Sequence, residues 1–372
     1  MTPTRLWRTA LVSLLLTLPS LAWSAELVFR LDNPPSEGTL VAQVYGNADR
    51  FGGFREPDRR EVFRIDAEQG EYRIGDLPAG DYALLVYWDE NDNGLLDRNF
   101  IGIPREPIAL SNQYRPKGPP SFERARVRLA EDESLEQTLS LSRPLGQLGQ
   151  WGVGLGVIGQ TSPYRGSDAR PLQAIPALVY IGERLQWTGP RIRYNLFGSD
   201  DWRLALQGDL RLSAYEEKDS EYLVGLGDRE TTFMGGMALI RELPAGIDLA
   251  ASARTDLLNR HGGHIASLTL SRGFQLGNWR VSPSIGVNWL SGALADYEFG
   301  VPVAAQTDWR PAYSLSSALN REVGVSFFYE LTPGWQLVGN LGLEQLDDAI
   351  VDSPIVDQQR LTKGFLSLTY AF

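Results

Sequence analysis

The chain has 372 residues, no cysteine, two histidines, a formal net charge of -11, 10 tryptophans and 14 tyrosines. Those numbers exclude a disulfide scaffold and a lipidated cysteine, argue against nucleic-acid binding, and leave room for a small domain beside a larger one. No apolar run past the N-terminus approaches the ~20 residues of a membrane helix, so a membrane-spanning chain would have to be a closed β-barrel, the other fold that satisfies every backbone group in lipid.

Arg5 and Arg8 precede an apolar run from Leu11 to Leu21, broken by Pro19, and then Ala22-Trp23-Ser24. This is the pattern of a secretory signal over 1–24, cleaved after Ser24 or, alternatively, after Ala25. Loss of the two arginines moves the formal charge from -11 to -13. Residues 25–142 read as one small domain. Glu26–Leu31 and Thr39–Tyr45 are strand-like. A Leu77-Pro78-Ala79-Gly80-Asp81 turn precedes the apolar strand Tyr82–Trp88. The pattern resembles prealbumin-like and collagen-binding B-type β-sandwich modules.

Asp89-Glu90-Asn91-Asp92-Asn93-Gly94-Leu95-Leu96-Asp97 follows. Oxygen side chains at positions 1, 3, 5 and 9, with glycine at 6, form the front of a calcium loop. Asp89, Asn91, Asn93, the Leu95 carbonyl and Asp97 are the candidate calcium ligands. Phe100 stands where the bidentate glutamate belongs, and a tight Asx turn explains the same residues. With Asn99–Pro107 and Gly118-Pro119-Pro120-Ser121-Phe122-Glu123, this loop resembles the secreted domain-of-unknown-function family numbered 2141 over most of 26–142. The resemblance implies a compact exported sandwich and no particular chemistry.

A linker over 143–149 leads into Gly-rich alternating stretches. Strands are expected near 151–161, 174–182, 185–189, 191–197, 202–215, 230–243, 247–258, 264–276, 279–291, 316–331, 335–346 and 360–372. In the fifth, Leu204, Leu206, Leu210 and Leu212 back a face of Arg203, Asp209 and Arg211, the alternation of a lipid-facing and lumen-facing strand. Arg321 and Phe365 break the pattern and are read as strand ends. Short turns alternate with long loops, as in outer-membrane barrels, so both barrel ends face the periplasm and the strand count is even. Twelve strands fit best; reading the Pro190 region as one strand leads to 10. The chain closes on Leu366-Ser367-Leu368-Thr369-Tyr370-Ala371-Phe372, an alternating strand with a terminal aromatic.

Gly152–Gly156, Pro163–Asp168, Pro176–Tyr180, Tyr194-Asn195-Leu196, Trp202-Arg203-Leu204 and Asp352–Val356 carry a resemblance to the outer-membrane family of the murein-transglycosylase-interacting protein and the OmpV protein, over 150–372. It implies an outer-membrane barrel in contact with lipid and a scaffolding role toward cell-wall synthesis or hydrolysis proteins. The sandwich ahead of it departs from the usual single-barrel member, which puts that role in doubt, and makes the whole chain all-β, a sandwich followed by a barrel. A narrow channel for small solutes is the alternative. Arg203, Asp209, Arg211, Asp248, Arg254, Glu322 and Glu330 are expected to face the lumen, either paired into a plug or lining a pore. No enzyme is expected. His261 and His264 read as solvated residues in or beside a short outer loop, and Asp347-Asp348 as a solvated loop pair. The long loop 292–315, with Asp296, Tyr297, Glu298, Phe299, Trp309 and Tyr313, is either a contact surface or a cover over the barrel mouth.

Overall fold

The computed structural model describes residues 25–65, 70–99, 102–146, 148–167, 172–199 and 201–372; the expected signal segment lies outside the described residues. The first region holds β1 (Ala25–Leu31), β2 (Thr39–Tyr45), α1 (Ala48–Gly52), β3 (Arg59–Arg64), β4 (Tyr72–Leu77), β5 (Gly80–Asp89), β6 (Ile108–Leu110), α2 (Phe122–Ala125), β7 (Arg126–Leu129) and β8 (Ser134–Leu139). A three-stranded sheet, β4-β1-β8, faces a five-stranded one in which β2 and β5 are central. Leu27, Phe29, Leu40, Val86 and Leu139 fill the space between them. The other face of the larger sheet is covered by α1 and α2 through Phe51, Phe54 and Phe122. Cover on both faces explains why β2, buried throughout, and the centre of β5 are mostly apolar rather than alternating.

The second region holds β9 (Gln150–Gln160), β10 (Leu172–Ile181), β11 (Leu185–Thr188), β12 (Arg191–Gly198), β13 (Trp202–Arg211), β14 (Thr232–Leu243), β15 (Ile247–Asp256), β16 (His264–Arg272), β17 (Phe274–Leu276), β18 (Trp279–Ser291), α3 (Gly292–Phe299), β19 (Ser317–Thr332), β20 (Trp335–Gln345), α4 (Asp348–Val351) and β21 (Arg360–Ala371). Each strand pairs antiparallel with its neighbours, and β21 returns to β9. β17 continues β16 past Gly273 against the same partner, β18. The wall is therefore a closed barrel of twelve strands, as expected. Gly189-Pro190 is a turn between two short strands, so 185–197 contains two strands rather than one.

Leu155, Leu206, Leu239, Leu268, Ile285, Val323, Leu341 and Leu368 stand exposed around the outside. A ring of unpartnered apolar side chains is the lipid-facing band of a membrane barrel. Aromatic pairs girdle the short-turn end: Trp151 with Tyr180, Phe197 with Trp202, Trp279 with Tyr329 and Trp335 with Tyr370, at centroid separations of 4.5–6.2 Å. Their amphipathic rings suit the membrane–water boundary.

Three expectations are corrected. The strand expected over 202–215 ends at Arg211; Ser213 then donates its N–H to the Thr231 hydroxyl at 3.0 Å, and Leu212 and Tyr215 are buried. Phe365 is no strand end: it lies inside β21, and its ring reaches Gly189. Arg321 is likewise internal, four residues into β19, where it shares the outward face with Leu319 and Val323.

Candidate functional site

Strand pairing puts Arg203, Asp209, Arg211, Asp248, Arg254, Glu322 and Glu330 on the face opposite the exposed leucines. Arg254 meets the Asp209 carboxylate at 2.6 Å and the Ser267 hydroxyl at 3.1 Å. Arg203 stands 3.8 Å from Asp248. Glu322 accepts from the Asn288 amide at 2.8 Å. These contacts tie the strands of the lumen wall together, the Arg254 and Arg203 pairs each spanning β14 between β13 and β15. Pairing of this kind is required where charge is partly dry.

At the long-loop end the loops fold inward. The 292–315 loop contributes α3, whose Leu294 and Ala295 are fully buried, and Phe299 stacks near Tyr164. With Leu223, Leu226, Leu290, Leu315, Ile350, Ile355 and Val356 they form a second apolar core at the barrel mouth. Arg211 reaches into it and holds Glu298 through two hydrogen bonds of 2.6 Å. Both groups are largely removed from water, so the bidentate geometry carries the cost of their burial. Buried Arg310 ties the cap further by donating to the carbonyls of Tyr222, Val224 and Ala305. The loop is thus a cover over the mouth. Of its aromatic residues, Trp309 remains exposed, while the Tyr313 hydroxyl donates to the Ala349 carbonyl at 2.6 Å.

The histidine expectation is half corrected. His264 is exposed at the start of β16, but the His261 side chain is buried and accepts from the Gly263 N–H at 2.9 Å through Nδ1. Burial holds His261 below the usual histidine range despite Asp256 nearby. Asp347 is not a solvated acid: it caps α4 at the Ala349 N–H and accepts from the Leu319 N–H at 2.8 Å.

At the short-turn end the sandwich closes the mouth. The segment from Tyr114 to Ser121 enters between β18, β19 and β20. An added Cβ on Gly118 would lie 2.3 Å from the Phe328 ring, which projects from β19 beside Glu330. The Lys117 carbonyl accepts from the Gln336 amide at 2.5 Å, and the Ser121 hydroxyl bonds Asn278 Oδ1 at 2.7 Å. Glu330 accepts from the Tyr114 hydroxyl at 3.1 Å and lies 3.5 Å from Arg124. Around the rim, Asp49 accepts from the Gln275 N–H, Arg55 pairs with Glu242, and Arg105 pairs with Glu183 at 2.5 Å. Nothing in the local sequence marked Gly118 as an insertion; Gly-Pro-Pro reads as an ordinary turn.

The Asp/Asn loop is closed by Asx-type hydrogen bonds. Asp89 accepts from the N–H groups of Asn93 and Gly94, Asn91 from Asn93, and Asn93 from Leu95; Asp97 accepts from both the Asn91 and Asn93 amides. Glu106 lies behind it, accepting from the Glu90 and Asp97 N–H groups. Burial, reinforced by Asp89 and Asp97, pushes its carboxyl up to about 7. Among the described residues no group of three His, Cys, Asp or Glu is arranged to hold a metal.

Residues 32–137 match a family of uncharacterized bacterial proteins, the domain of unknown function numbered 2141. The MltA-interacting protein of Escherichia coli K12 is 25% identical over 225 residues, 59% of this chain and 89% of that protein. A protein of the same bacterium named for the outer membrane, YiaT, is 25% identical over 209 residues, 55% of this chain and 84% of its own length. Among solved structures, the outer membrane channel DcaP of Acinetobacter baumannii aligns over 95% of this chain and 99% of its own at 9% identity and a TM-score of 0.25. The model of the MltA-interacting protein MipA family matches residues 153–372, more than half of the chain, and the protein belongs to that family of outer-membrane barrels.

Proposed function

We propose that this protein is an outer-membrane anchor, in which the barrel fixes a periplasmic sandwich to the membrane and the sandwich engages cell-wall machinery. The proposed organisation is a signal peptide over 1–24, the sandwich over 25–142, a linker over 143–149 and the barrel over 150–372. The observation that carries the reading is closure at both ends: a loop core over the outer mouth and the Gly118 segment in the inner one. A barrel stopped twice is suited to holding rather than conducting. The E. coli relative is named for interaction with MltA; from it we take the partner class, a periplasmic enzyme of cell-wall turnover. The outer face of β4-β1-β8, with Arg30, Arg73, Glu71 and Glu136, lies away from the barrel contacts and is available to such a partner.

Crosslinking in intact cells tests the reading. The full chain should capture a cell-wall enzyme, and a chain lacking the sandwich should not; capture of none by the full chain would sink it. A narrow channel is the second reading, favoured by the polar character of the inner closure. Planar-bilayer recordings separate the two. Steady conductance from the full chain would overturn the anchor, whereas current only after deletion of residues 1–146 would make the sandwich a plug.

A further inference from the structure

The barrel wall is incomplete on one side. β11 has four residues and β12 eight, while β10 and β13 have ten each. β10 pairs with β11 only through Val179–Ile181, and the last bond toward that hairpin runs from the Gly189 N–H to the Leu178 carbonyl. Above it, among the described residues, no strand pairs with β10 from Leu172 to Ala177 on this side. The opposite rim begins at Leu210, whose N–H donates to the Pro190 carbonyl at 3.1 Å. The result is a window two strand widths, ~10 Å, across at its sill. Gly189-Pro190 forms the sill, the Phe365 ring stands behind Gly189, and a 3.1 Å bond from the Gln160 amide to the Ser213 carbonyl forms the lintel. The sill lies well inside the lipid band, since Arg191 pairs with Asp209, seven residues beyond the belt residue Trp202.

Two inward positions at this window, Gln173 and Arg191, are exposed, although most inward positions on the flanking strands are covered. Arg193 follows Arg191 on the same face, with Arg203 and Asp248 as its other charged neighbours. Neither Arg191 nor Arg193 has an ion pair or side-chain hydrogen bond among the described residues, and the Arg203 Nε is buried without a partner. Asp209, in register with Arg191, is already held by Arg254, and Asp248 is shared between Arg203 and Arg193. Unpaired cations at membrane depth are costly and call for a counter-charge. A guanidinium pair best fits a planar or tetrahedral oxyanion bound through two oxygens.

We propose that the window is a lateral binding site for an amphiphile with a phosphate or carboxylate head group, the head held by Arg191 and Arg193 and the tail leaving through the gap above Pro190 into the lipid. The site is independent of the anchoring role, since it uses neither the sandwich nor the outer cap.

The test uses the full-length protein in neutral detergent, with dodecyl phosphate, inorganic phosphate and dodecyl maltoside as probes and binding followed by titration calorimetry. Dodecyl phosphate should bind saturably, one per chain, at least tenfold more tightly than inorganic phosphate, and dodecyl maltoside should not compete. The double variant R191Q/R193Q should weaken dodecyl phosphate tenfold or more. Ala174→Trp, which adds bulk at the rim without touching the arginines, should weaken dodecyl phosphate and leave inorganic phosphate unchanged; it also decides the matter if the double variant fails to fold. Equal affinity for the two phosphates would mean a free-anion site and overturn the lateral reading. Unchanged binding in R191Q/R193Q, or in Ala174→Trp, would overturn the site itself.

Discussion

The two closures of the barrel are built on different physics. The outer one is a hydrophobic core, with Leu294, Ala295 and Ile350 fully buried and one deep ion pair, Arg211 with Glu298. The inner one is a set of polar bonds around a single close approach of Gly118 to Phe328. A packed core opens only by local unfolding, whereas a polar contact between domains exchanges readily with water and resembles a transient interface. The outer mouth is therefore sealed as part of the fold, and the inner mouth is latched.

That contrast can be broken most severely from the outer side. Arg211→Ala leaves Glu298 charged and buried, and removing one partner of a buried ion pair costs about 3–5 kcal/mol; the outer loops should become protease-sensitive while the sandwich contacts persist. Gly118→Ala should act on the inner side alone. The new methyl group overlaps the Phe328 ring, and overpacking of this kind costs about 1–3 kcal/mol; a crosslink between the sandwich and the rim should fade while the barrel's heat resistance is unchanged. Equal sensitivity of both mouths to either variant would remove the distinction.

A pH dependence sharpens the comparison within the sandwich. The folded state holds the Glu106 carboxyl near 7, above its ordinary 4.5. Folding therefore favours the protonated form; its contribution is complete below pH 4.5 and is lost as pH rises through 7. The sandwich should melt at a lower temperature at pH 8 than at pH 5, and Glu106→Gln should flatten that trend. The smallest effect belongs to Arg105→Ala. Its partner Glu183 is half exposed on the rim, so the loss should stay below about 1 kcal/mol and vanish in high salt.

The barrel was legible wherever one strand carried its own signal. Leu204, Leu206 and Leu210 against Arg203, Asp209 and Arg211 gave both faces of β13 from local alternation alone. The closures were not legible, because each depends on partners distant in sequence. Glu298 reads as a loop acid until Arg211 is placed beneath it, and Gly118 as a turn residue until Phe328 is placed against it. Phe365 misled for a related reason: a large ring on the lumen side is tolerated because Gly156 of β9 and Gly189 of the hairpin turn leave room beside it. His261 looked solvated because its burial comes from the cap and Asp256 rather than from its glycine neighbours.

The seam between β9 and β21 carries a consequence for biogenesis. Gly152 pairs with Ala371 and Gly159 with Gly364, so the first barrel strand waits for the last before the ring can shut. The sandwich closes sooner, since its first strand, β1, meets its last, β8, once the chain has reached Leu139, before any barrel strand is made. A chain in transit can thus carry a finished domain ahead of an open, edge-exposed sheet, and that sheet must be shielded until its two ends meet.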